Sequence, residues 1–163
     1  MMRKLGDRVL YTDTDSVIFL SRPGDEAPVE GDMLGEWNSQ LEPGESHIVE
    51  YLSLGPKTYY YKTDKNRIEL AAKGIPQNLY TEDILRYDDV LKKYVKTGES
   101  VGPGLFKELL LGGEQLIVYP DSLKRDGKNQ TIKSVVASKT LRKTYTKRFV
   151  LSDFTTLPYG TKK

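Results

Sequence analysis

Apolar and polar positions along the first twenty residues fall into two short β-rich runs, Val9-Leu10-Tyr11-Thr12 and Val17-Ile18-Phe19-Leu20, around the polar centre Asp13-Thr14-Asp15-Ser16. This pattern predicts a hairpin with its turn near Asp13-Thr14. Residues 21–33 carry Pro23, Gly24, Pro28 and Gly31 among acidic residues and read as a loop. Leu34, Trp37 and Leu41 are spaced for one face of a short helix over 34–41, closed by Pro43-Gly44. Residues 48–54, 58–62 and 68–72 read as three strands, interrupted by Gly55-Pro56 and by the polar turn Asp64-Lys65-Asn66. From 81 to 95 the apolar positions Ile84, Leu85, Tyr87, Val90, Leu91, Tyr94 and Val95 recur near 3.6 residues and predict a helix. Gly98, Gly102-Pro103-Gly104 and Gly112-Gly113 read as loop punctuation, and two further strands are expected over 130–138 and 143–151. Residues 46–73 read as consecutive strands without intervening crossover helices.

Composition narrows the chemistry. At 163 residues the chain has the length of about one ordinary domain, and 37% hydrophobic with 29% charged residues is a balance that can fold. No apolar run approaches the roughly 18 residues of a membrane span, and the first residues, Met-Met-Arg-Lys-Leu-Gly, show no secretory pattern. The expectation is an intracellular protein with no membrane partner. There is no Cys and one His, His47, which reads as a surface residue. Thiolate metal sites, thiol nucleophiles and multi-imidazole sites are excluded, leaving carboxylates, Lys, Tyr and hydroxyls. The net charge of +2 conceals an asymmetry: residues 121–163 hold 11 basic and 3 acidic residues, residues 1–120 hold 14 and 20. Such a split points to an anionic partner for the basic end.

The acidic centre of the first hairpin is the leading candidate for chemistry. On an extended strand Asp13 and Asp15 project to one side, a spacing that suits a hard cation such as Mg²⁺. The same residues also suit a plain polar turn. A calcium-binding loop is excluded because Val17 and Ile18 stand where it needs a carboxamide or acid and a glycine. Asp13, Asp15 and Val17 also resemble the strand-end Asp-x-Asp motif of haloacid-dehalogenase-type phosphatases, which would make Asp13 a nucleophile. That family, however, expects a doubly wound parallel sheet.

A resemblance that extends along the chain is to family B DNA polymerases. Tyr11-Thr12-Asp13-Thr14-Asp15-Ser16 looks like their third catalytic motif, Gly55-Pro56-Lys57-Thr58-Tyr59 resembles their Lys-x-Tyr motif, and Lys73-Gly74 resembles the palm-to-thumb crossing. Tyr145-Thr146-Lys147-Arg148 and the end Leu157-Pro158-Tyr159-Gly160 are similar to the C-terminal part of protein-primed members, those of Polinton/Maverick transposons and related viruses. The resemblance implies an α+β fold: antiparallel palm strands with a catalytic-type hairpin over 1–74, then a small β-rich thumb with one or two helices over 75–163. It implies two Mg²⁺ ions, with Asp15 a direct ligand, Asp13 beside it, and Tyr11, Thr14 and Ser16 supporting the strand. Lys57 and Tyr59 would meet the primer terminus. Partners would be primer–template DNA, deoxynucleoside triphosphates, the remainder of the polymerase and a terminal priming protein, in the nucleus if the source is a eukaryotic element.

Two motifs of that family, the Asp-x-x-Ser-Leu-Tyr-Pro carboxylate motif and the Lys-x-x-x-Asn-Ser-x-Tyr-Gly nucleotide-gripping helix, do not occur in the 163 residues. The expectation is therefore a fragment that does not polymerise DNA alone. Lys139, Arg142, Lys143, Lys147 and Arg148, with Tyr145 among them, read as an exposed basic hairpin, and with Lys73 they are the candidate DNA contacts. Gly98 to Gly104 lacks the Gly-Lys-Ser/Thr of a phosphate loop, and Lys92, Lys93 and Lys96 read as the outer face of a helix.

Overall fold

A computed structural model of the chain describes residues 2–80, 84–146 and 148–157. The chain divides into two compact units, residues 1–46 and 47–163. The fold is of α+β type with few helices, and every ladder between named strands is antiparallel. No described helix is long and apolar enough to cross a membrane.

The first unit opens with a single helical turn, α1 (Met2–Leu5), and a 3-10 turn, Gly6–Arg8, that feed the hairpin β1 (Val9–Asp13) and β2 (Ser16–Phe19). Leu5 is its one buried hydrophobic residue among those described. Arg8 ties the following loop to the base of the hairpin: its guanidinium pairs with Asp25 at 3.1 Å and donates to the Glu26 carbonyl at 3.1 Å. The short helix expected over 34–41 is absent. The Glu36 carboxylate accepts from the Met33 amide at 2.9 Å, closing a turn, and Trp37 instead exchanges backbone hydrogen bonds with Val29 and Gly31. Leu34, which a helix would have turned inward, is fully exposed. With so little apolar surface to bury, local side chain-to-backbone bonds outcompete one helical turn.

The second unit holds the core. Strands β3 (Ile48–Gly55), β4 (Thr58–Thr63) and β5 (Ile68–Ala72) form the expected meander in the order β3-β4-β5. Leu52, Tyr60 and Leu70 lie in one cross-strand row, and Tyr60 meets Phe106 of α2 (Pro103–Leu111) edge-on, centroids 5.7 Å apart. Helix α2 begins with Pro103 at its first turn after Gly102, a placement that suits proline because its missing N–H has no helical partner there. Phe106, Leu109 and Leu110 are buried. The glycines that read as loop punctuation thus bracket a helix, and the spacing of Phe106, Leu109 and Leu110 is the signal that identifies it.

The helix expected over 81–95 is a hairpin in its described part: β6 (Leu85–Asp88) and β7 (Lys93–Lys96) pair in register. Residues 81–83 lie outside the described residues. The Asp88 carboxylate accepts from the amides of Val90 and Leu91 at 2.9 and 2.8 Å, closing the turn, and leaves those two apolar side chains exposed. Lys92 sits in that turn at φ +51°, and Lys93 and Lys96 lie on β7, not on a helix face. The last four-stranded sheet has the order β7-β6-β8-β9, dominated by a long hairpin of β8 (Glu114–Asp126) and β9 (Thr131–Arg142). Over 143–151, expected as a strand, the described residues form only β10 (Phe149–Val150), which pairs with β11 (Thr156–Leu157). The boundary expected near residues 73–76 lies inside this second unit, where the Tyr119 hydroxyl donates to the Gly74 carbonyl at 3.1 Å.

Candidate functional site

The acidic hairpin forms where the sequence predicts it. Asp13 ends β1, Thr14 and Asp15 make the turn, and Ser16 opens β2 directly opposite Asp13. Thr14 adopts φ +53°, so the chain is not extended here, and the same-side alternation expected for Asp13 and Asp15 does not hold. Asp13 is half-buried on the face shared with Val9 and Tyr11, whereas Asp15 is exposed in the turn. The Thr14 hydroxyl donates to Asp13 Oδ1 at 3.3 Å, and the Ser16 hydroxyl donates to the Asp13 carbonyl at 3.0 Å. These bonds orient Asp13 from both sides of the turn.

As a cation site, the donors have the right chemistry and an insufficient number. Carboxylate oxygens are the ligands Mg²⁺ prefers. Yet among the described residues no three acidic or imidazole groups gather closely enough to hold one ion. Asp13 and Asp15 supply at most part of a coordination shell.

Lys57 and Tyr59 belong to the second unit. Pro56 and Lys57 form the tight β3–β4 turn, with Lys57 exposed at φ +55°. Tyr59 is half-buried in β4 between Ser53 and Ala71, its ring 6.1 Å from that of Tyr51. The turn abuts a groove of about 590 Å³ that no sequence spacing announces. Lys73, just after β5, and Lys139 and Arg142, from β9, line it together with Thr58, Thr140 and Thr144. Glu114 also borders the groove and lies 3.7 Å from Arg142.

Two glycines permit this assembly. Gly55, at φ +150°, lets the end of β3 approach Thr144, whose side chain occupies the space a Cβ would need. The Thr144 amide and hydroxyl both donate to the Leu54 carbonyl, at 2.8 and 3.2 Å. Gly74, at φ +78°, lies beneath the Lys139 side chain, whose ammonium is 3.9 Å from where a Cβ would stand. Lys139 is thereby laid beside the residue that follows Lys73.

The remaining basic candidates are spread. Lys143 lies over the Tyr145 ring at 5.8 Å, and burial pushes the Tyr145 hydroxyl pKa up. Arg148 donates to the Thr156 hydroxyl at 2.8 Å and to its carbonyl at 3.3 Å, closing the β10–β11 ribbon. Lys147 lies outside the described residues, as do Pro158, Tyr159 and Gly160. The continuous basic hairpin expected over 139–148 is therefore split, with Lys139 and Arg142 on β9 and Arg148 beside a separate short ribbon.

Comparison with protein-family models, with curated proteins and with solved structures gives no match.

Proposed function

We propose that the chain is the end of the palm and the thumb of a family B DNA polymerase of the protein-primed type. The observation that carries this reading is the acidic hairpin: Tyr11 to Ser16 fold as a tight two-stranded turn with Asp13 braced by two hydroxyls and Asp15 exposed beside it. In this reading Asp15 binds metal directly and Asp13 shares the charge, while Tyr11, Thr14 and Ser16 hold the turn. Bound Mg²⁺ would supply charge neutralisation and activation of a primer hydroxyl for nucleotidyl transfer. Lys57 contributes a point charge for a phosphate at the primer terminus, and Tyr59 a flat, rigid face beside it. The basic residues of the second unit hold primer–template DNA through its backbone. The missing carboxylate motif and nucleotide-gripping helix would come from other polypeptide, so the 163-residue chain alone is inactive.

Magnetic resonance with added Mn²⁺ tests the metal role. Broadening of the amides of Thr14, Asp15 and Ser16, removed by Asp15→Asn, is the expected result, and an unaffected hairpin would defeat the reading. Primer extension with Mg²⁺ and a primed template should yield no product from the chain alone; Asp15-dependent product would overturn its inactivity.

The antiparallel ladders lend no support to a haloacid-dehalogenase-like phosphatase, whose site sits at the end of a parallel strand. A non-catalytic nucleic-acid-binding module is the second reading, favoured by the cationic groove of the second unit.

A further inference from the structure

We infer that the outer face of the β8–β9 hairpin is a self-association surface, on which a second copy of this chain stacks end for end to form a two-fold dimer. The surface belongs to the hairpin whether or not the chain serves a polymerase.

Residues directly opposite one another in an antiparallel ladder share a face of the sheet, so the register sorts the side chains. One face carries Ile117 and Tyr119 of β8 and, from β9, Ala137, Lys139 and Leu141. This face looks inward: Ile117 and Leu141 are buried members of the core cluster, and Tyr119 packs against it. The other face carries Leu116, Leu123, Ile132 and Val136 and looks outward. An antiparallel sheet with one face on the core ordinarily presents polar residues to water on the other. Here these four aliphatic side chains are 53%, 75%, 70% and 51% exposed. Leu123 stands opposite Ser134, so Ile132 and Val136 are its two diagonal neighbours and the three make one patch. A contiguous apolar patch open to water marks an interaction surface.

The support of the hairpin makes the same demand. Strand β6 joins β8 at the single pair Leu85–Val118. Beyond it, residues 122–126 and 131–135 pair only with each other, with no third strand beside them among the described residues. Two strands by themselves are marginal in water, and a second layer on their apolar face supplies the burial they lack.

Charge selects the occupant and its direction. At the paired positions of the outer face, charged residues stand only at the ends: Arg125 near the turn, Glu114 and Arg142 at the base. Between them lie Leu116, Val118, Leu123 and Ile132 with the small hydroxyl residues Ser134, Ser138 and Thr140. Lys124, Lys133 and Lys139 are on the opposite face. An uncharged centre is matched by an equally uncharged surface, and the same face of another copy is one. With both turns at the same end, Arg125 would meet Arg125. Turned end for end about a two-fold axis, each copy lays its Arg125 over the Glu114 of the other, so the contact is self-complementary in charge as well as in apolar surface.

Sedimentation equilibrium of the full chain from about 1 to 200 µM, without nucleic acid, tests this. A rise from one chain mass to two with concentration is expected. Leu123→Thr together with Ile132→Thr keeps strand-compatible residues at exposed positions. It should weaken the dimer about tenfold or more, while circular dichroism and the melting of the diluted monomer stay unchanged. Arg125→Glu should weaken it about threefold, and adding Glu114→Arg should restore it, a rescue that misfolding cannot produce. A chain that stays monomeric over the whole range would overturn the inference and leave the face to a different partner. A dimer untouched by the two threonines would overturn it too, and failure of the charge swap to restore affinity would overturn the end-for-end arrangement.

Discussion

The two units reach order by different routes. Residues 1–46 hold 4 basic and 10 acidic residues, and among their described residues only Leu5 is a buried hydrophobic. Their order comes from hydrogen bonds and ion pairs: Arg8 to Asp25 and Glu26, Glu36 to the Met33 amide, Ser16 to Asp13. Residues 47–163 hold 21 basic and 13 acidic residues and all thirteen members of the buried apolar cluster. A small unit buries too little apolar area to offset its chain entropy, whereas the larger one has a core to spend on a charged surface. Candidate chemistry follows the same division, with the carboxylates on the first unit and the cationic groove on the second.

The largest expected effect that sharpens this contrast is on the core. Phe106→Ala removes the ring that meets Tyr60 edge-on and should cost about 3–5 kcal/mol in denaturant unfolding. Amide hydrogen exchange in the same experiment should show β3, β4 and β8 as the slowest-exchanging segments and β1–β2 as far faster. Equal protection of the two units would break the comparison.

Glycine substitutions come next. Gly55→Ala collides with Thr144 and forces a left-handed φ, so a loss of about 2–3 kcal/mol is expected, together with a disturbed groove. Gly24→Ala in the first unit, at φ +88° but with open space around it, should cost about 1 kcal/mol from backbone strain alone. Thermal unfolding of the two variants side by side checks the ranking.

The smallest effect concerns the bridge between sheet and helix. Glu50 accepts from the buried Tyr60 hydroxyl at 2.7 Å and pairs with Lys107 of α2 at 2.6 Å. The Lys107 contact holds the Glu50 pKa below its usual 4.5, while burial, and then the Glu50 bond, pushes the Tyr60 pKa well above its usual 10.0. A depressed carboxylate pKa stabilises the fold above about pH 4.5, and that contribution is lost as pH falls through the folded value. A raised phenol pKa does the reverse: the fold loses stability as pH climbs beyond about 10. Stability against pH should therefore be flat near neutrality and fall at both ends. Tyr60→Phe should lower the plateau by about 1 kcal/mol and remove Tyr60's contribution to the alkaline decline; an undiminished decline would show that Tyr60 is not its source.

Much of the fold was legible because its signals are local. The β1–β2 hairpin and the β3–β5 meander follow from apolar runs separated by Asp13-Thr14, Gly55-Pro56 and Asp64-Lys65-Asn66, where short-range sterics decide the turn. Over 84–95 the same apolar residues fit both a helical and a strand period, and the choice passed to the Asp88 side chain and to pairing with β8 at Val118. Helix α2 was hidden by its own flanking glycines. Among the candidate residues, the acidic turn and the charge asymmetry were written in the sequence.

The sequence by itself determined which residues could do chemistry: two carboxylates in one turn, no thiol, one imidazole, and a basic second half. Tertiary structure alone decided which of them meet. Lys73 and Lys139 are 66 positions apart, and no local pattern encodes their convergence. It depends on the register of β9 against β8 and on Gly55 and Gly74 allowing close approach. Side-chain periodicity is a property of neighbours along the chain, whereas a groove is set by how one sheet is laid against another.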